Sequence, residues 1–107
     1  MENLTEQIHK LINFADYQQD AIVSKTILKS DSGTFTYFTF DKSQNLSEHT
    51  APFDAIIQII EGKAEIKISG NPFIVSAGEM IIMPANKPHS VLAVEKFKML
   101  LTMFKSC

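Results

Sequence analysis

Three histidines, His9, His49 and His89, are all the imidazole in this 107-residue chain. They bound the acid–base and metal chemistry open to it, because imidazole titrates near neutrality and is the commonest metal ligand. Two of them sit among turn-forming and polar residues: Glu48-His49-Thr50-Ala51-Pro52-Phe53-Asp54, and Pro84-Ala85-Asn86-Lys87-Pro88-His89. Glu48 and Asp54 leave a paired-carboxylate hydrolase open, with nothing that favours it. Ser47 stands near His49 but has no Gly-x-Ser-x-Gly elbow and no orienting acid, so no nucleophile constellation is visible. Four glycines leave no room for a phosphate-cradling loop. The ten basic residues are all lysine and the net charge is -2. Without arginine there is no bidentate fork for phosphate or guanine, so nucleic acid is not an expected partner. Lys87, beside one of the histidine loops, keeps an anionic small ligand open.

Elements must hold those histidines in place. Forty-five percent hydrophobic and 21% charged residues describe a chain that folds around one core rather than a disordered tail. Its length allows one domain. Leu4, Ile8, Leu11 and Ile12 recur at helical spacing, and Asn3 with Glu6 forms a capping pattern, so an amphipathic helix is expected over about residues 4–13. His9 would lie on it as a solvated surface residue. From residue 22 the character changes. Ile22–Ile27 and Thr34–Phe40 are rich in β-branched and aromatic residues, with Asp31-Ser32-Gly33 between them as a turn. Lys63–Ile68 alternates charged and apolar, Ser69-Gly70-Asn71-Pro72 turns the chain, and Phe73–Val75, Met80–Met83, His89–Leu92 and Phe97–Phe104 supply further strands. The odd-numbered stripe Phe97, Met99, Leu101 and Met103 has strand period and reads as core or pocket wall. Met80 and Met83 read as core filler. Short strands at close intervals predict an all-β sandwich or barrel.

The two histidine segments resemble the paired signature motifs of the cupin family, over roughly residues 44–104. The second motif matches at Gly78, Pro84 and His89, with Asn86 where glycine is usual; asparagine tolerates the left-handed backbone such a turn needs. The first matches at His49 and Gly62, but Ala51 and Ala55 occupy its second histidine and glutamate positions. The resemblance implies a single cupin-like jelly-roll β-barrel over 16–107, preceded by the helix and lead-in over 1–15. Full cupin sites hold a divalent metal on three histidines and one carboxylate. Here only His49 and His89 could serve, and iron, manganese, nickel or zinc would bind them weakly or not at all. No organic cofactor is implied. Strand parity turns Asp54 and Gln58 away from the empty glutamate position.

Two functions stay open on this reading. One is a module binding a small molecule of unknown identity in a pocket formed by His49, Ala51, Ala55, Ile57, Met83, His89, Met99 and Met103. The other is a metal-dependent cupin enzyme of dioxygenase, isomerase or decarboxylase type, with His49 and His89 as ligands. A sensor role would need a partner. If Ala55, Ile57 and Ile59 point inward, Ile56 and Ile60 point outward with Gln58, and a homodimer covering that sheet is expected. No apolar run is long enough to span a bilayer and no signal peptide is visible, so a cytoplasmic protein is expected. Cys107, the single cysteine, cannot form an intrachain disulfide and reads as an exposed, frayed thiol.

Overall fold

The structure is a computed structural model, and residues 3–105 are described. Cys107 lies outside them. Nine strands form two antiparallel sheets that face each other as a jelly-roll barrel: β1 (Ile22–Ser30), β2 (Gly33–Phe40), β3 (Asn45–His49), β4 (Asp54–Glu61), β5 (Lys63–Ile68), β6 (Asn71–Ser76), β7 (Met80–Met83), β8 (His89–Ala93) and β9 (Phe97–Phe104). The larger sheet has the order β1-β2-β9-β4-β7 and the smaller β3-β8-β5-β6.

Alternation decides which face each sheet buries. In β4, Ala55, Ile57 and Ile59 are buried and lie in one core cluster with Phe97 and Met99 of β9. Leu101 and Met103 pack against that cluster, so the odd-numbered stripe of β9 is an inner wall. Ala64 and Ile66 of β5, Val75 of β6, and Val91 and Ala93 of β8 supply the facing wall. Phe40 and Phe97, register partners on β2 and β9, stack with ring centroids 4.5 Å apart and fill one end. At that end Gly62 makes the β4–β5 turn at φ +82, where an added Cβ would fall 2.0 Å from the Lys96 carbonyl oxygen. Only glycine fits there.

β3 was not legible as a strand, because Asn45-Leu46-Ser47-Glu48-His49 holds a single apolar residue. Met80 is not core: it is exposed on edge strand β7, at an even position opposite Gln58.

The helix expected over 4–13 is replaced by irregular chain and one 3₁₀ turn, Leu11–Asn13. One physical cause is visible. Glu6 sits at φ 60, a left-handed conformation that breaks a right-handed helix. The end of the segment is docked on the barrel through carbonyls that a helix ending at residue 13 would itself leave unpaired. Tyr37 Oη donates to the Leu11 carbonyl, and Lys98 Nζ donates to the Ile12 carbonyl at 2.6 Å. The apolar stripe is therefore split, and Ile8 is 99% exposed. Phe14 docks instead, 5.1 Å from the Tyr37 ring. His9 is no free surface residue: its Nε2 is 2.9 Å from the Leu4 carbonyl oxygen, and its ring meets Phe14 edge-on.

Candidate functional site

Two loops join the sheets at the end opposite the Phe40–Phe97 stack. One runs from His49, the last residue of β3, to β4, which begins at Asp54. The other runs from Met83, the last residue of β7, to His89, the first of β8. The loops are tied together by Asn86 N–H, which donates to the Ala51 carbonyl at 2.8 Å. Asn86 has φ 66, the left-handed conformation expected of it. Asp54 Oδ1 accepts from Ala85 N–H at 2.8 Å, so this carboxylate holds the loop and is turned from the barrel interior, as its parity requires.

A β-bulge brings His49 into the barrel wall. Leu46 and His49 are three apart and would face opposite sides of a regular strand. Leu46 pairs with Val91 and His49 with His89, and the register slips by one residue between them. The extra residue restores parity, so Leu46 and His49 share the face of Val91 and His89. Strand-period reading alone could not find this.

The result is an imidazole pair. The His49 and His89 ring centroids are 4.3 Å apart at an interplanar angle of 67°. His49 is exposed, and His89 is buried, at 9% exposure. His49 Nδ1 lies 2.8 Å from the Ser47 carbonyl oxygen, and His89 Nδ1 lies 3.2 Å from that of Lys87. A carbonyl only accepts, so both Nδ1 atoms carry the proton of the neutral ring. Each Nε2 then presents a lone pair. Burial lowers the His89 pKa below the ordinary histidine value; the bond to Lys87 opposes this and the charge of His49 adds to it. Two like charges at this separation disfavour each other.

The register places the other expected pocket residues. Met83, Ala55 and Met103 form one row across β7, β4 and β9, at the level where both loops leave. Thr34 extends the row on β2 as the partner of Met103. Its hydroxyl is buried with no hydrogen-bond partner among the described residues. No spacing in the sequence points to Thr34. Ala55 and Met83 are each 4% exposed and belong to the core cluster, with Met103 partly buried against it; one level deeper lies Ile57, and beyond it Met99, each 1% exposed. Ala51 is half-buried in the loop.

The donor set for a family metal is incomplete. Ala51 and Ala55 carry no ligand atom, and among the described residues no group of three or more His, Cys, Asp or Glu side chains is placed to hold a metal ion. Two imidazoles do not fit a four-donor centre.

The family model described as "Cupin domain" matches residues 36–104. This chain belongs to the cupin family. It is 34% identical to a conserved protein of unknown function from Streptococcus pyogenes, with a TM-score of 0.92, covering 100% of this chain and 92% of that one. It is 40% identical to a cupin 2 conserved barrel domain protein from Leptotrichia buccalis, with a TM-score of 0.86; 89% of this chain is covered, but only 46% of that one. A cupin superfamily protein from Desulfitobacterium hafniense shares the fold, with a TM-score of 0.89 at 22% identity, covering 94% and 93% of the two chains. No curated protein matches this cupin.

Proposed function

We propose that this cupin binds a small organic molecule at the barrel mouth, held between the two imidazoles and the row formed by Met83, Ala55 and Met103. The observation that carries the reading is the His49–His89 pair, 4.3 Å apart with both Nδ1 atoms committed to backbone carbonyls. Two adjacent Nε2 lone pairs accept hydrogen bonds, so they suit a ligand that presents hydroxyl, amide or protonated acid groups. Met103, the partly accessible member of the apolar row, suits the rest of such a molecule. The ligand sits at the mouth rather than the centre, because Ile57 and Met99 fill the interior. A four-donor metal is no part of this reading, because alanine stands at two donor positions.

A thermal-shift screen of small hydroxylated and amide compounds at pH 7.5 tests it. At least one compound should raise the melting temperature of the wild-type protein, as any ligand selective for the folded state does. His49→Ala should abolish that shift while leaving the unliganded melting temperature nearly unchanged, since His49 is exposed. Shifts that survive His49→Ala would overturn the reading. So would metal found near one per chain in wild-type protein and lost in His49→Ala, which would favour the metal-dependent enzyme.

A further inference from the structure

The register that joins His49 to His89 continues across the smaller sheet. His49 pairs with His89, His89 with Ile68, and Ile68 with Asn71. Directly paired residues of antiparallel strands share a face. Ile68 packs against the core, so that face is the inner one, and Asn71 lies on it. The four residues make one row along the mouth. It runs from edge strand β3, through β8 and β5, to edge strand β6. In the sequence Asn71 reads only as a turn residue, because its link to the histidines passes through Ile68 on another strand.

Backbone contacts fix the far end of the row. Ser69 and Gly70 turn the β5–β6 hairpin with φ 51 and 81, the two left-handed residues of a type I′ turn. Ser69 N–H donates to the Pro88 carbonyl at 2.8 Å. That bond ties the hairpin tip to the residue before His89, so the placements of Asn71 and His89 are set together. Asn71 is the first residue of β6 and is exposed. Its side-chain amide is hydrogen-bonded to no described residue.

The row is chemically divided. At one end stand the two imidazoles, with both Nδ1 atoms committed to backbone carbonyls, so each Nε2 accepts. In the middle, Ile68 is a partly buried apolar step. At the other end Asn71 offers two N–H donors and one carbonyl acceptor. Paired residues stand about 5 Å apart, so Asn71 lies on the order of 10 Å from His89 across Ile68. A single hydroxyl or amide fills one end and does not reach the other. Neutral imidazoles and a carboxamide carry no charge, so the row suits an uncharged ligand.

We infer that Asn71 is a ligand-binding and specificity-determining residue of the mouth, and that the ligand is an uncharged molecule with a hydroxyl at one end, a carboxamide or lactam at the other, and an apolar stretch between. The hydroxyl donates to the imidazole pair. The apolar stretch lies over Ile68. The carboxamide both donates to and accepts from Asn71, whereas a carboxylate would only accept and use half of what Asn71 offers. The inference rests on the mouth being the binding site, as proposed above, and adds the length of the ligand and its second end.

Isothermal titration calorimetry of the full chain at pH 7.5 with linear ω-hydroxyamides tests it, beside alcohols of the same length that lack the amide. Affinity should peak near the compound whose ends stand about 10 Å apart, the span of the row. Asn71→Ala, at an exposed position, should weaken that compound about three- to tenfold, the net worth of one hydrogen bond. It should also flatten the dependence on length and leave the alcohol unchanged. In wild-type protein the Asn71 side-chain amide resonances should shift with the hydroxyamide and not with the alcohol, a readout that needs no variant. His49→Ala should abolish binding of both compounds. Hydroxyamide affinity that is independent of length, or equal in wild type and Asn71→Ala, while His49→Ala still abolishes binding, would overturn the inference and leave the mouth standing as the site. Hydroxyamide binding that survives His49→Ala would overturn both. No binding by any compound of the series would overturn the inference alone, since the broader screen above judges the mouth by itself.

Discussion

The two ends of the barrel treat polar groups in opposite ways. At the end of the Phe40–Phe97 stack, the chain satisfies its own donors. Tyr17 Oη donates to Glu61 at 2.5 Å, Lys98 Nζ donates to the Ile12 carbonyl, and Tyr37 Oη donates to the Leu11 carbonyl. The Lys96 and Lys98 ammonium groups sit 4.8 and 5.0 Å from the centre of the Tyr17 ring. At the mouth, each imidazole commits one nitrogen to a backbone carbonyl and keeps the other unengaged by any described residue. The first arrangement is how a fold is held: buried donors left unmade are costly. The second leaves hydrogen-bonding capacity for something that is not the chain itself. The position of function follows from where satisfaction stops.

The contrast breaks most readily at the packed end. Phe97 has no exposed surface and stacks on Phe40. Phe97→Ala should destabilise by about 3–5 kcal/mol, read as a shift of the urea midpoint at constant slope. A loss under about 1 kcal/mol would mean that this end is not the structural anchor.

A smaller effect is expected where the N-terminal segment meets the barrel through Tyr17 and Glu61. Burial, then the hydrogen bond and charge of Glu61, push the Tyr17 pKa up. Burial and the charge of Glu61 push Tyr37 up to about 12. The folded state therefore holds these phenol protons above pH 10, where an unfolded chain releases them. A state that binds more protons gains as pH falls, so folding stability should be full below about pH 10 and decline above it. Tyr17→Phe should reduce stability by about 1 kcal/mol at pH 7, the net worth of one hydrogen bond, and flatten part of the alkaline decline. An unchanged alkaline limb would mean that the Tyr17–Glu61 contact does not hold the phenol proton.

Much of this organisation was legible in the sequence, for a definite reason. Inner and outer faces of β4, β5 and β9 follow from alternation, because a sheet with one buried face enforces period two. Pro84 and Asn86 were legible because a turn needs particular backbone angles and those residue types supply or tolerate them, and His89 by its spacing in the motif the segment resembles. What failed to show depends on contacts between distant residues. The helix over 4–13 has sound local periodicity, yet Glu6 is left-handed, and Tyr37 and Lys98, 26 and 86 positions from their acceptors, dock the end of the segment on the barrel. Propensity over ten residues is weak against tertiary hydrogen bonds. The pairing of Tyr17 with Glu61 spans 44 positions and leaves no spacing to read. β3 was hidden by composition, and the bulge that sets His49 beside His89 is invisible without knowing its partner strand.

The smallest effect belongs to the mouth, and it distinguishes the two ends most sharply. His89 titrates below the ordinary histidine value, chiefly through burial, with His49 adding repulsion. In the unfolded chain the same group takes its proton near pH 6.5. Between that value and the lower folded pKa, the unfolded state binds more protons, so stability falls as pH drops through this window and is restored above it. His89→Asn should remove that acid slope while leaving stability at pH 8 within about 1 kcal/mol. His49→Ala should remove only the repulsive part, so that the His89 proton resonance titrates closer to pH 6.5 with burial still holding it low. If His89 titrates at the unperturbed value in the wild-type protein, the imidazoles are not coupled. The mouth would then lose its claim to differ from any exposed polar rim.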